Sequence, residues 1–318
     1  MSEQQSSHQQ AEFEQAMVNK IASEAIAEQR RARRWSIFFK LFMVGYVSIF
    51  TVFYLVSGED GPSLGGKKHT ALIDISGVIS ADSQASADYI ISGLRAAFED
   101  KNTAGIILRI NSPGGSPVQA GYVNDEIYRL REEYPDIPFF SVITDICASG
   151  GYYIATAADK IYADKASVVG SIGVIMSGFG FVDSIEKLGI ERRLLHAGEN
   201  KGFLDPFSPL KAEEVEHVET LLTDIHQQFV DVVRKGRGDR LANDEKIFSG
   251  LIWTGEQSVA LGLVDALGSA GYVAREVIGV EEIVDFTRRE TFLDQFAKKI
   301  GTTFARVIGT MLTGFEIR

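Results

Sequence analysis

The chain has a single cysteine, Cys147, among its 318 residues, so an intrachain disulfide is excluded. No set of zinc ligands surrounds this cysteine, and we expect it to be a packing residue. Positive charge is also in short supply, because 32 Lys and Arg residues stand against 43 Asp and Glu residues. The resulting formal net charge of −11 argues against nucleic acid as the main partner.

One long apolar run is present, at residues 35–56, and Lys40 is its only charged residue. A helix needs roughly 20 apolar residues to span a bilayer, and this run supplies them. Four arginines precede the run in "RRARRW", whereas the polar sequence "SGEDGPSLGG" follows it. By the positive-inside rule, the N-terminus is expected in the cytoplasm and the chain after the run on the outer side.

A cleaved signal peptide is the alternative to an uncleaved anchor. Such a peptide has a short charged region, an apolar region of about 7–15 residues and a small-x-small cleavage site. Here a polar segment, residues 1–34, precedes the apolar run, and no clear cleavage site follows it. The sequence therefore favours an uncleaved anchor, and the charge asymmetry of its flanks disfavours a buried core helix.

Composition divides the chain into five parts. They are a polar cytoplasmic segment at 1–34, the anchor at 35–56, a Gly/Ser/Pro/Lys linker at 57–69, a folded domain at 70–290 and an amphipathic segment at 291–318. The first segment is predicted to be helical or disordered. The last is not apolar enough to span a bilayer, so it is predicted to dock on a protein surface, with membrane-surface contact as the alternative.

Within the folded domain, short apolar strands alternate with amphipathic helices. The predicted strands are 71–75, 104–110, 138–144, 160–164, 171–175, 190–195 and 281–286. The predicted helices are 86–100, 116–134, 152–158, 180–189, 211–236 and 255–262. Repeated β-α units of this kind predict an α/β fold with a mostly parallel sheet covered by helices.

Three glycine-containing turns stand at the ends of apolar segments: "NSPGGS" at 111–116, "ASGG" at 148–151 and "VGSIGV" at 169–174. Each alone is typical of a tight structural turn. Together they indicate a site, because ligands of open α/β sheets bind beyond the carboxyl ends of the strands. Ser149 then suits a nucleophile, with the Gly150 N–H beside it and a second oxyanion donor supplied by the "PGG" backbone.

A nucleophilic serine needs a base. Of the five histidines only His196, at the end of a predicted strand, is a reasonable candidate. A lysine serves only when its amine is neutral, and at pH 7 about one lysine in 2,500 is neutral in water. Lys201 differs from the lysines on helical polar faces because it lies in the irregular loop "HAGENKGFLDPF". On these grounds both His196 and Lys201 are candidates for the base.

The segments "NSPGG", "ASGGYYIATAAD", "GSIGVI", "AGENKGFLDPF" and "WTGEQSVALGLVDALG" occur in this order over about residues 70–275. In order and spacing the chain resembles the signal peptide peptidase A group of the S49 family of Ser-Lys proteases, in its short, single-unit form. The resemblance implies that Ser149 is the nucleophile, that Lys201 is the general base and that Ser171 holds the lysine. It implies oxyanion donors at Gly150 and Gly114, with Gly115 next to them.

The same resemblance implies a crotonase/Clp-protease-like fold, no metal or other cofactor, and ring- or dome-shaped homo-oligomers with active sites built at subunit interfaces. The implied substrates are apolar peptides such as remnant signal peptides, cleaved on the outer side of a bacterial cytoplasmic membrane. Two alternatives stay open: a catalytically inactive membrane scaffold of the same fold, and a crotonase-type acyl-CoA enzyme.

Overall fold

A computed structural model of the chain describes residues 2–56 and 66–289, which belong to two separate units. The first unit is one helix, α1 (Ser2–Val56), so the polar N-terminal segment and the apolar run share one continuous helix. Its stretch Glu28–Val52 is long and apolar enough to cross a membrane. The predicted C-terminal segment 291–318 and most of the linker lie outside the described residues.

The second unit alternates strands and helices. Its strands are β1 (His69–Ser76), β2 (Thr103–Ser112), β3 (Phe139–Ala148), β4 (Lys160–Ala163), β5 (Val168–Gly170), β6 (Ile252–Thr254), β7 (Ala266–Leu267) and β8 (Ile283–Asp285). Its α-helices are α2 (Ala87–Glu99), α3 (Pro117–Glu133), α4 (Gly150–Ala155), α5 (Val182–Lys187), α6 (Ala212–Arg237), α7 (Gly255–Ala260) and α8 (Ala270–Tyr272). Short 3-10 turns occupy Gly238–Arg240 and Glu245–Phe248, and a π-helical segment follows α8 at Val273–Ile278.

The eight strands form one sheet in the order β6-β5-β3-β2-β1-β8, with β4 and β7 branching from β3. Every pairing among the described strands is parallel except that of β5 with β6. Strand β3 changes partner along its length, because Phe140–Ile143 pairs with β4 and Ile146–Ala148 pairs with β5. The mixed, mostly parallel α/β fold predicted from the sequence is confirmed.

Both faces of the central strands are buried, which explains their near-continuous apolar sequences. In β1, Ala71 and Ile73 belong to one core cluster and Leu72 to the other. The larger cluster includes apolar side chains of α2, α3 and α4, and the smaller one includes Val273 and Ala274. The sheet is therefore a rigid layer between two covers, and its strand ends hold fixed positions.

Two predicted strands are wrong. Residues 171–175 and 190–195 have no regular structure, and β5 already ends at Gly170. A strand needs a partner for its backbone N–H and C=O groups. Within the described residues of one chain, neither segment pairs with another strand. The short strands β6 and β7 were not predicted, because two or three residues carry no readable alternation.

A buried ion pair ties the end of α6 to the sheet. Arg237, only 1% exposed, donates from Nε to the Gly262 carbonyl at 2.9 Å and from Nη1 to Asp265 at 2.8 Å. The Asp265 carboxylate also accepts the Ile161 N–H at 2.7 Å. Burial by itself raises the pKa of Asp265, but the hydrogen bonds from Arg237 and Ile161 outweigh it and hold the pKa below the ordinary 3.8.

We predict that Asp265→Asn lowers the free energy of unfolding by about 3–5 kcal/mol at pH 7, because it leaves the buried Arg237 charge uncompensated. The folded-state pKa of Asp265 is lowered, so its stabilisation is complete above the ordinary value and is lost as pH falls through the folded-state value. Urea unfolding of the full chain at a series of pH values measures this. The difference in the free energy of unfolding between wild type and variant should narrow below about pH 4.

The control is Asp136→Asn, which removes one exposed carboxylate from a surface turn. It should shift the unfolding midpoint little at any pH. If the difference in the free energy of unfolding between wild type and Asp265→Asn did not change with pH, the conclusion that the ionised Asp265 carboxylate stabilises the fold would be contradicted.

Candidate active site

The three glycine turns lie at one edge of the sheet, because β2, β3 and β5 are parallel neighbours that end there. The register pairs Ser112 with Cys147 and Ala148 with Gly170. Ser149 and Ser171 therefore follow directly from paired residues on adjacent strands. Cys147 itself is fully buried in the core, and burial raises the pKa of its thiol, so it has no place in the site's chemistry.

Ser149 occupies a backbone conformation that side-chain-bearing residues rarely adopt, with φ 51° and ψ −123°. Its N–H donates to the Gly170 carbonyl at 2.8 Å, and its own carbonyl accepts the Tyr153 N–H at 2.9 Å. Within the described part of the chain its hydroxyl has no hydrogen-bond partner. Such backbone strain, of order 1–3 kcal/mol, is typical of residues held for function.

Two glycines of the "PGG" turn are required by close packing. A Cβ on Gly114, where φ is +99°, would lie 2.7 Å from both the Gly150 nitrogen and the Ser149 Cβ. A Cβ on Gly115 would lie 2.1 Å from the Ile79 carbonyl oxygen. Only glycine lets this turn lie directly on the turn that carries the serine.

The backbone N–H groups near Ser149 differ in their availability. The Gly114 N–H donates to Ser112 Oγ at 3.1 Å, and this buried hydroxyl in turn donates to the Gly77 carbonyl at 2.6 Å. No acceptor within the described residues takes the Gly115 N–H. The Gly150 N–H opens helix α4 and has no intrahelical acceptor. The Gly115 nitrogen lies 3.3 Å from the point where a Cβ of Gly150 would stand, so these two free donors are neighbours.

Ser171 also has a positive φ, 54°, and its N–H donates to the Leu251 carbonyl at 2.7 Å. The preceding Gly170 packs against the Trp253 ring, which would lie 2.7 Å from a Cβ at that position. Ser171 and Ser149 line the same cavity, whose volume is about 950 Å³. The structure thus brings together five predicted site residues: Ser149, Ser171, Gly114, Gly115 and Gly150.

Neither candidate base lies in this cavity. Lys201 and His196 are both exposed, and neither belongs to the described residues that line it. The turn that carries Lys201 is nevertheless held in place. The Leu204 N–H donates to the buried Glu214 at 3.3 Å, and the Phe203 ring meets the His217 ring edge-on at 5.8 Å.

The segment between β5 and α6, residues 171–211, exposes many large apolar side chains. Ile175 is 88% exposed, Phe179 82% and Leu195 96%. Monomeric soluble proteins rarely leave large contiguous apolar patches in water, and such patches mark interaction sites. We call this segment the apolar arm. Lys201 belongs to it and is also exposed.

Comparison with known proteins gives the chain a family context. The model of Peptidase family S49 matches residues 132–284. The chain is 44% identical over 186 residues to a Brucella abortus protein named Na(+)/H(+) antiporter NhaA, a stretch covering 58% of this chain and 25% of that protein. It therefore spans about a quarter of that relative's length.

Two further relatives are covered more fully. A protein of Enterococcus faecium that bears the name of signal peptide peptidase SppA is 31% identical over 66% of this chain and 62% of its own length. A protein of Synechocystis sp. whose name calls it a protease is 32% identical over 64% of this chain and 71% of its own length.

We predict that Gly114→Ala destabilises the fold by about 2–4 kcal/mol, because its methyl group meets backbone at 2.7 Å in a strained conformation. The matched control is Gly121→Ala in helix α3, where a Cβ meets nothing within 4 Å. That change should stabilise the helix by up to about 1 kcal/mol. Urea unfolding of the two variants measures both effects. Equal stabilities would show that the two turns are not in contact.

Proposed function

Because the chain belongs to peptidase family S49, we propose that it is a membrane-anchored serine endopeptidase that cleaves apolar peptides, such as remnant signal peptides, with a Ser149–Lys201 dyad. The observation that carries this proposal is the presentation of Ser149. Its hydroxyl is unpartnered among the described residues, and it stands in a cavity beside two free backbone N–H groups. That arrangement is what acyl transfer to a serine requires.

The oxyanion donors in this proposal are the N–H groups of Gly150 and Gly115. Gly114 has a different task, because its N–H is already taken by Ser112 and its Cα packs on Ser149. Removing one such donor typically costs 10²–10³-fold in rate, so the distinction between the two glycines has measurable consequences.

The base in this proposal is Lys201 of a neighbouring copy. Within one chain the lysine is exposed and lies outside the cavity lined by Ser149, and its turn contacts α6 through the hydrogen bond from the Leu204 N–H to Glu214. A lysine amine becomes neutral at pH 7 only when it is desolvated, at a cost of about 4 kcal/mol. Burying the apolar arm against a second copy would exclude water from that amine and would carry it to the neighbour's serine.

The reaction then proceeds in two steps. The neutral Lys201 amine takes the Ser149 proton as Oγ attacks the peptide carbonyl, and the Gly115 and Gly150 N–H groups stabilise the oxyanion. The lysinium protonates the leaving amine, and an acyl-enzyme remains. The amine then takes a proton from water as the water oxygen attacks the ester carbonyl, and the lysinium returns that proton to Ser149 Oγ as the carboxylic acid leaves. The Ser171 hydroxyl, in the same cavity, orients the amine.

The anchor agrees with apolar substrates. Helix α1 provides a candidate span at Glu28–Val52, and its arginines at 30–34 favour an N-terminus in the cytoplasm by the positive-inside rule. In this proposal the peptidase unit is on the outer side of the membrane. Remnant signal peptides in that bilayer are apolar, and so are most of the side chains that line the cavity.

An acyl-CoA enzyme is disfavoured by the charge of the cavity. The single charged residue among its described lining residues is Asp125, which is acidic. Coenzyme A carries phosphates, and sites that bind phosphate commonly offer Arg or Lys side chains, neither of which is among the described residues that line this cavity.

A mixing experiment tests the dyad. Ser149→Ala and Lys201→Ala should each abolish cleavage of a fluorogenic apolar peptide by the full chain in detergent. Co-expressed with different tags and purified by both, the two inactive variants should regain activity. The Lys201→Ala chain still supplies Ser149, and the Ser149→Ala chain supplies Lys201. Random 1:1 assembly should restore about a quarter of the sites.

The control replaces the Lys201→Ala partner with the double variant, which supplies neither group, and no activity should return. Mixed particles without recovered cleavage would contradict a dyad formed between copies. Cleavage by Lys201→Ala alone would remove that lysine from the mechanism.

A further inference from the structure

The cavity beside Ser149 is a groove between two helices. Helix α3 lines one side with Val118 and Tyr122, and helix α6 lines the other with Leu221 and Ile225. Ser149 lies with Gly150 and Tyr153 where α4 begins. The walls are largely apolar, and a single carboxylate among the described residues that line them is an exception to that composition.

Asp125 is that exception. It follows Tyr122 by three residues on α3, so the two side chains lie on the same face of the helix. Among the described residues, Asp125 forms no ion pair and no hydrogen bond, whereas the adjacent Glu126 pairs with Arg95 and Arg129. Asp125 is exposed and therefore accessible to a ligand that enters the groove, whereas the Glu126 side chain is only 11% exposed and already engaged by two arginines.

Two tyrosines share the groove with the carboxylate. Tyr122 and Tyr153 line the same groove, and Tyr153 packs on Phe229 with ring centroids 5.2 Å apart. Burial, and next the charge of Asp125, raise the pKa of Tyr153, which agrees with a carboxylate near that side chain. A carboxylate that lines one groove together with two aromatic rings suits a cation, for which ion pairing and cation–π attraction can combine.

The distance from the reacting centre follows from helix geometry. Asp125 stands eight residues after Pro117, the first residue of α3, which is about 12 Å along the helix axis. The oxyanion donor Gly115 lies just before that helix. An extended peptide advances about 3.3 Å per residue, so 12 Å corresponds to three or four residues of substrate.

We infer that Asp125, with Tyr122 and Tyr153, forms a subsite for a cationic group of the substrate, three or four residues from the scissile bond. The inference rests on the proposed peptidase function of the same groove. The cation is the side chain of a Lys or Arg residue, whose aliphatic stem packs along the apolar walls, or the α-ammonium group of the peptide. The substrate class is therefore an apolar segment that carries a positive charge near the point of cleavage.

Matched peptides test the subsite with the full-length protein in detergent. They share one apolar sequence and carry Lys, norleucine or Glu three or four residues from the cleaved bond, with the N-terminus free or acetylated. Wild type should cleave the Lys peptide with a kcat/KM about three- to tenfold above that of the norleucine peptide. A preference that follows the free N-terminus instead would assign the subsite to the α-ammonium group.

Three variants distinguish an effect of the Asp125 charge from an effect of the substitution on folding. Asp125→Asn should abolish the preference, and Asp125→Lys should reverse it in favour of the Glu peptide. Asp136→Asn, which removes an exposed carboxylate outside the groove, should retain the wild-type preference. An unchanged preference in both Asp125 variants would overturn the inference.

Binding separates this inference from the proposed function. Fluorescence anisotropy with Ser149→Ala should show tighter binding of the cationic peptides, and the additional Asp125→Asn change should remove that difference. Equal binding of all peptides would overturn the subsite even where cleavage is observed. Selective binding through Asp125 without any cleavage by wild type would retain the subsite and contradict the peptidase.

Discussion

The backbone of Gly114 lies so close to Ser149 and Gly150 that no side chain fits between them, and the rest of the site depends on this contact. It joins the turn after β2 to the turn after β3. Ser112 fixes the first turn by bonding both Gly77 and Gly114, and the Gly170 carbonyl fixes the second by accepting the Ser149 N–H. The two turns together leave the N–H groups of Gly115 and Gly150 free and adjacent.

The sheet maintains this contact because it restricts the movement of the strand ends that carry the two turns. Strands β2, β3 and β5 are parallel and buried on both faces, so their ends cannot shift independently. The strain at Ser149 is sustained by that packing, since a residue at positive φ persists only where its surroundings hold it. The buried Arg237–Asp265 pair secures α6, which forms one wall of the groove, to the same sheet.

The features that the sequence predicted correctly depend on patterns among neighbouring residues of the chain. Buried strands such as 104–110 have continuous apolar sequences, the helices show amphipathic spacing, and the glycine turns mark the strand ends. The strands predicted at 171–175 and 190–195 were wrong because pairing depends on a distant partner, which a local apolar pattern cannot supply. The groove was not foreseen for a similar reason. In the sequence Asp125 resembles an ordinary solvated helix residue, and only the fold shows that it lines one cavity with Ser149 and residues of α6.

The sequence also could not show which glycine of the "PGG" turn has a free N–H group. Gly114 and Gly115 are indistinguishable in "PGG", and only the hydroxyl of Ser112 shows which N–H is already engaged. The position of Lys201 was undetermined as well, since a loop lysine can face its own site or a neighbour's. The exposed apolar side chains around that lysine are the reason why we propose a neighbouring copy as the recipient of its amine.

The central claim is that Ser149 is a nucleophile activated by Lys201 in the assembled protein. Reaction of the full-length protein with a fluorophosphonate, followed by peptide mass spectrometry, tests it most directly. The account predicts one adduct, on Ser149, which forms in wild type and fails to form in Lys201→Ala. Folded, assembled wild type without an adduct on Ser149, or equal labelling in Lys201→Ala, would contradict it.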